Sequence, residues 1–107
     1  MIRNPSPHEW LERKRDFVQK YRALAWSRPS AEDDIKAGII LGRMLLNPNF
    51  DWLLDAAWAL GLEHVEDCWR ALCRVDDPDV KKLVSRAHNA TTEYLTNIRA
   101  GYDEASR

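Results

Sequence analysis

No stretch of this chain alternates apolar and polar residues at a two-residue period, and no Asn-Gly or Asp-Gly pair offers a hairpin turn. A β-sheet would have neither strands nor tight turns to build on. Cysteine is almost as scarce, with only Cys68 and Cys73. On one helix their Cα atoms would stand farther apart than the roughly 7 Å a disulfide tolerates. Both fall on or beside an apolar helix face, which reads as two buried free thiols in a reducing compartment.

Long apolar runs are missing too. The longest, Gly38 to Leu46, is cut by Arg43, and it falls far short of the roughly 20 residues of a membrane span. Met1 to Trp10 holds Pro5, Pro7, His8 and Glu9 where a secretion signal needs apolar residues. The expected location is the cytoplasm. Gly-rich phosphate loops, His-Glu-x-x-His and Gly-x-Ser-x-Gly are all absent, so catalysis has little to work with and no cofactor is implied. Asp76, Asp77 and Asp79 surround Pro78 at a helix start, where the helix dipole accounts for them.

What remains is a chain that is 45% hydrophobic and 31% charged, rich enough in apolar side chains to bury a core. Its length suits one domain, 1–107, with a short tail over 1–6. Helix signals follow one another along it. Ser6, Pro7 and Glu9 start a helix over 7–28 with Trp10, Leu11, Phe17, Val18, Tyr21, Leu24 and Ala25 on its apolar face. Ser30 caps a second, 31–46. Asn47 or Asn49 caps a third, 49–60, which Gly61 ends in a left-handed conformation. A fourth, 62–75, carries Leu62, Val65, Cys68, Trp69, Leu72 and Cys73 as one stripe. Asp77 and Pro78 open the fifth, 78–105, whose apolar face continues to Ile98 and Tyr102. The expected fold is all-α: a compact bundle of about five helices.

The second helix is the unusual one. At about 100° per residue, Ile35, Gly38, Ile39, Gly42, Leu45 and Leu46 share one side, and Ala37, Ile40, Leu41 and Met44 the other. Only Lys36 and Arg43 interrupt the ring. A helix apolar all round must be covered all round, so it is the central post of the bundle, part of a subunit interface, or both. The fifth helix, about 42 Å long at 1.5 Å per residue, overruns a spherical domain about 34 Å across. Both features point to a homodimer. Gly38 and Gly42, each costing about 1 kcal/mol relative to Ala inside a helix, imply close approach of another helix.

Charge divides the chain. Residues 1–28 hold seven Lys or Arg against three acids, 29–79 four against eleven, and 80–107 five against three. Pairing between the basic first helix and the acidic middle is expected. Arg15 and Arg22 border the apolar face, and Lys14, in the middle of it, needs a carboxylate.

Two familiar constellations are weak here. Ala57 to Arg70 has the turn of a helix-turn-helix, but Asp67 and Arg70 occupy its packing positions and Glu63 and Glu66 repel phosphate. An ordinary αα-hairpin fits better. His64 and Cys68, four apart, could share a metal but lack two further ligands.

The functional expectation is therefore a small non-enzymatic protein-interaction module, regulatory or adaptor-like. Its candidate interface comprises Trp26, Trp52, Trp58, Ile40, Leu41, Met44, Ile98 and Tyr102, since Trp favours surfaces where one end of the ring stays wet. The alternative is a nucleic-acid-associated regulator contacting phosphates through Arg13, Lys14, Arg15, Lys20 and Arg22.

Overall fold

Asp77 accepts hydrogen bonds from the Asp79 and Val80 amides at 2.9 and 3.1 Å, and Pro78 takes the first helical position, so the longest helix begins where its local chemistry dictates. A computed structural model describes residues 5–106, helical in every element with no strand among them. The elements are α1 (Pro7–Lys20), a single 3-10 turn (Arg22–Ala25), α2 (Asp33–Leu46), α3 (Phe50–Leu60), α4 (Leu62–Cys73) and α5 (Pro78–Ala105). Of the expected N-terminal tail, positions 1–4 lie outside the described residues. Ser6 caps α1 through the Glu9 amide at 3.2 Å, and Asn49 caps α3 through the Trp52 amide at 3.3 Å. Ser30 caps nothing: Glu32 precedes α2 in extended conformation without a side-chain cap bond.

The first helix stops well before Arg28. Tyr21 leaves helical geometry at φ −111° and ψ 19°, and its hydroxyl bonds the Asp55 carboxylate on α3. Arg43 on α2 donates to the Leu24 carbonyl, and to Ser27 Oγ at 3.2 Å. Both partners lie far away in sequence, and together they hold the chain in a tight turn where the local pattern favours further helix.

α2 is the central post. It packs against α1, the 3-10 turn, α3, α4 and α5. Ala37, Ile40, Leu41, Met44 and Leu45 are buried within this single chain, as is Ile98 on α5. Ile40, Leu41, Met44 and Ile98 therefore belong to the core and have no surface to offer a second subunit. The overrun of α5 disappears as well, because the molecule is a slab of 41 × 34 × 20 Å. A slab 20 Å thick holds two layers of helices about 10 Å across, and its long dimension accommodates α5.

The other side of α2 is covered only in part: Leu45 is buried, and Ile39 and Leu46 are half-buried against the core. Ile35 is exposed, and a Cβ placed on Gly38 or Gly42 would meet nothing within 4 Å. Among the described residues no other helix packs closely on either glycine, contrary to what their helical cost suggests. Leu11, assigned to the α1 core face, is 59% exposed. Cys68 is half-buried and Cys73, in the last turn of α4, is exposed; both are free thiols.

Gly61 behaves differently from the α2 glycines. It joins α3 to α4 at φ 90° and ψ 132°, donates its amide to the Ala57 carbonyl at 3.0 Å and accepts from the Val65 amide at 3.1 Å. Gly61→Ala should therefore lose about 1–3 kcal/mol through backbone strain. Gly38→Ala should gain up to about 1 kcal/mol, since the methyl enters open space and helix propensity improves. Paired denaturant titrations check both signs.

Candidate functional site

The last four carbonyls of a helix lack intrahelical partners, and at the end of α3 one of them organises a surface. Arg13 of α1 donates from an Nη to the Trp58 carbonyl at 3.2 Å. A cation suits this position, where the α3 dipole is negative. With its head fixed there, the Arg13 guanidinium lies over the Trp58 ring, its central carbon 3.5 Å from the ring centroid and 5.5 Å from that of Trp10. Trp58 is 57% exposed on its remaining surface. One arginine thus caps α3 and holds an exposed indole in place.

This Arg13–Trp58 pair forms one wall of a cleft of about 750 Å³, a volume in the range typical of ligand sites. The α3–α4 corner closes one end. Trp10 Cη2 lies 3.5 Å from where a Gly61 Cβ would be, so the indole rests on the glycine. Leu54, exposed on α3, contributes apolar surface. The last turns of α5 supply Tyr102 and Asp103. Burial raises the pKa of the Tyr102 phenol, with Arg13 partly opposing it.

The α5 wall is anchored. Arg99 clamps Glu66 of α4 through two hydrogen bonds, Nε to Oε2 at 3.2 Å and Nη2 to Oε1, and reaches Asp103 at 3.5 Å. The bonds to Glu66 raise the Arg99 pKa despite partial burial. A forked pair of this kind fixes orientation as well as distance.

On the opposite edge, Asp55 of α3 accepts from Lys20 at 2.8 Å and from the Tyr21 hydroxyl. A recess of about 200 Å³ adjoins the cleft here, between Arg13, Lys20, Asp55 and Trp58. Burial pushes the Asp55 carboxyl up, but the bonds from Lys20 and Tyr21 outweigh it and leave its pKa lowered. The Lys20 pKa is raised by its bond to Asp55, and that of Tyr21 by burial and then by Asp55. The signs define two windows. The Asp55 contribution is present above its unfolded value of about 3.9 and is lost as pH falls through the lower folded value. The contributions of Lys20 and Tyr21 are present below their unfolded values of about 10 and are lost as pH rises through the higher folded ones. Asp55→Asn should therefore flatten both limbs of a melting-temperature profile, and a profile identical to wild type at both extremes would contradict the network.

No protein-family model, curated protein or solved structure matches this chain.

Of the expected interface residues, the fold brings only Trp58 and Tyr102 together at the cleft. Trp52 is half-buried, edge-on to Tyr21 at 6.0 Å. Trp26 is 72% exposed but sits at the 3-10 turn, with the Arg43 guanidinium 4.7 Å from its ring centroid. Trp10, Leu54 and Glu63 line the cleft, although the sequence marks none of them as an interface residue. Trp10 reads as core from its helical face, and nothing local separates core from cleft floor. Glu63 reads as a first-turn acid of α4.

The expected basic contact is dispersed. Lys14 bonds Asp34, meeting its need for a carboxylate; Lys20 bonds Asp55; Arg13 is engaged with Trp58. Arg15 and Arg22 are exposed and, among the described residues, have no carboxylate partner, so they are not the pair that joins the basic helix to the acidic middle. His64 Nε2 and Cys68 Sγ are 3.7 Å apart, and the thiol pKa is raised by burial and by nearby Asp67. Among the described residues no group of three His, Cys, Asp or Glu could hold a metal ion, and no helix is long and apolar enough to cross a membrane.

Proposed function

We propose that this protein is a small non-enzymatic α-helical module that binds a polypeptide partner in the Trp58 cleft, in a regulatory or adaptor role in the cytoplasm. One observation carries the reading: an exposed indole, held in place by Arg13, lines a cleft of about 750 Å³. A tryptophan held rigid contributes large contact area with little entropy left to lose on binding. The free thiols of Cys68 and Cys73 suit a reducing compartment.

A displayed library of random peptides, selected on the immobilised protein, tests this. The expected binders lose roughly tenfold or more in affinity on Trp58→Ala, as a central aromatic contact does, and are indifferent to Trp26→Ala. Binders that ignore Trp58→Ala, or a selection that yields none, would contradict the proposal.

Self-association is a second reading, favoured by the partly covered side of α2, where exposed Ile35 stands beside the uncovered Gly38. This differs from the dimer surface expected from the sequence. Light scattering at micromolar concentration tests it: a dimer that Ile35→Glu converts to monomer supports the reading, and a wild-type monomer removes it. Phosphate binding by α1 has less support, because three of its five proposed cations are engaged within the fold.

A further inference from the structure

The charges around the cleft are unequally committed, and this bears on what the cleft can accept. Arg13 is stacked on Trp58 and bonded to its carbonyl. Arg99 is bonded to Glu66 and Asp103. Asp55 is held by Lys20 and Tyr21. Glu63, exposed in the first turn of α4, is the one charged lining residue with no partner among the described residues. An incoming anion would compete with the Trp58 ring and carbonyl for Arg13, or with Glu66 and Asp103 for Arg99. An incoming cation meets a carboxylate that is ready to pair and disturbs nothing.

Leu54 and Trp58, both exposed, line the same cleft as that carboxylate. Their surface suits an apolar side chain, and the cleft volume of about 750 Å³ leaves room for several residues.

We infer that the partner segment is apolar and basic: it sets an apolar side chain on Trp58 and Leu54 and a lysine or arginine beside Glu63. This rests on the reading of the cleft as a polypeptide-binding surface. Glu63 then selects among apolar segments by charge, while Trp58 supplies most of the affinity.

The peptides selected from the random library supply the probe, and Glu63 and Trp58 variants separate the two ideas. The binders should carry Lys or Arg close to an apolar residue well above the frequency of Asp or Glu. Glu63→Gln should weaken them up to about fivefold, the equivalent of one exposed ion pair, and Glu63→Lys more than Glu63→Gln. Raising salt should narrow the difference between wild type and Glu63→Gln. Glu63 is exposed in a first helical turn, so circular dichroism should show both variants folded. Binders that depend on Trp58 but are acidic, or that bind Glu63→Lys as tightly as wild type, would overturn the inference and leave the cleft reading standing. Loss of dependence on Trp58 would overturn both. A wild-type dimer that Trp58→Ala dissociates would identify the occupant as a second copy and overturn the inference.

Discussion

Truncating Met44 to alanine should lower the unfolding free energy by about 2–5 kcal/mol, the range for deleting a fully buried long side chain that leaves a cavity. Met44 is completely buried on the helix that packs against every other element, so the vacated space has walls on several helices and little freedom to collapse. The size of the loss is only half of the prediction. The Ile40, Leu41 and Met44 side of α2 is covered by the same chain, so the midpoints of wild type and variant alike should be independent of protein concentration. Coverage by a second subunit would lower both midpoints on dilution. Denaturant titrations at two concentrations a hundredfold apart distinguish the cases. Ile35→Ala, on the partly covered side of the same helix, should cost much less, because its side chain is already partly in water.

Thr91→Val should cost about 1–3 kcal/mol although it preserves shape, because it leaves a buried acceptor unpaired. Thr91 is fully buried on α5, and its hydroxyl donates to the Leu45 carbonyl at 2.7 Å. Leu45 lies in the last turn of α2, among the carbonyls that the helix cannot satisfy for itself. The hydroxyl therefore does two things at once: it terminates α2 and sets its position along α5. Thr91→Ser should recover part of the loss by keeping the donor. Equal stability of Thr91→Val and wild type would show that the Leu45 carbonyl finds another partner.

How much of this was legible in the sequence depends on the range of each interaction. The start of α5 follows from Asp77 and Pro78, and the α3–α4 corner from Gly61, because each is decided within a few residues. The end of α1 was not legible. Its stop depends on Tyr21 reaching Asp55 and on Arg43 reaching Leu24, partners set by the tertiary fold. The apolar ring of α2 correctly marked the central helix, but periodicity cannot say which chain covers which side, nor that Ile35 and Gly38 stay exposed. Gly38 and Gly42 looked like packing positions because glycine is costly in a helix, yet the space beside them is open. The assumption of a sphere made α5 seem too long, whereas the helices lie in a slab.

At the site, Trp58 and Tyr102 stood out as aromatic residues near the edge or end of an apolar stripe. The features that join them were hidden for the same reason as the end of α1. Arg13 reaches α3 across 45 positions, and Arg99 reaches Glu66 across 33. Neither spacing follows any helical rule. The basic first helix was legible as charge, but not as the division of labour it proves to be: Lys14 and Lys20 pair with carboxylates, while Arg13 caps a helix and supports an indole.

The indole N–H signals of the five tryptophans test the central claim most directly. A peptide taken from the library selection is titrated into isotopically labelled protein, with each signal assigned by single substitution. Binding in the cleft should move the signals of Trp58 and Trp10 most and leave those of Trp26 and Trp69 in place. The largest change at Trp26, with Trp58 and Trp10 unmoved, would place the binding surface at the 3-10 turn and contradict the account.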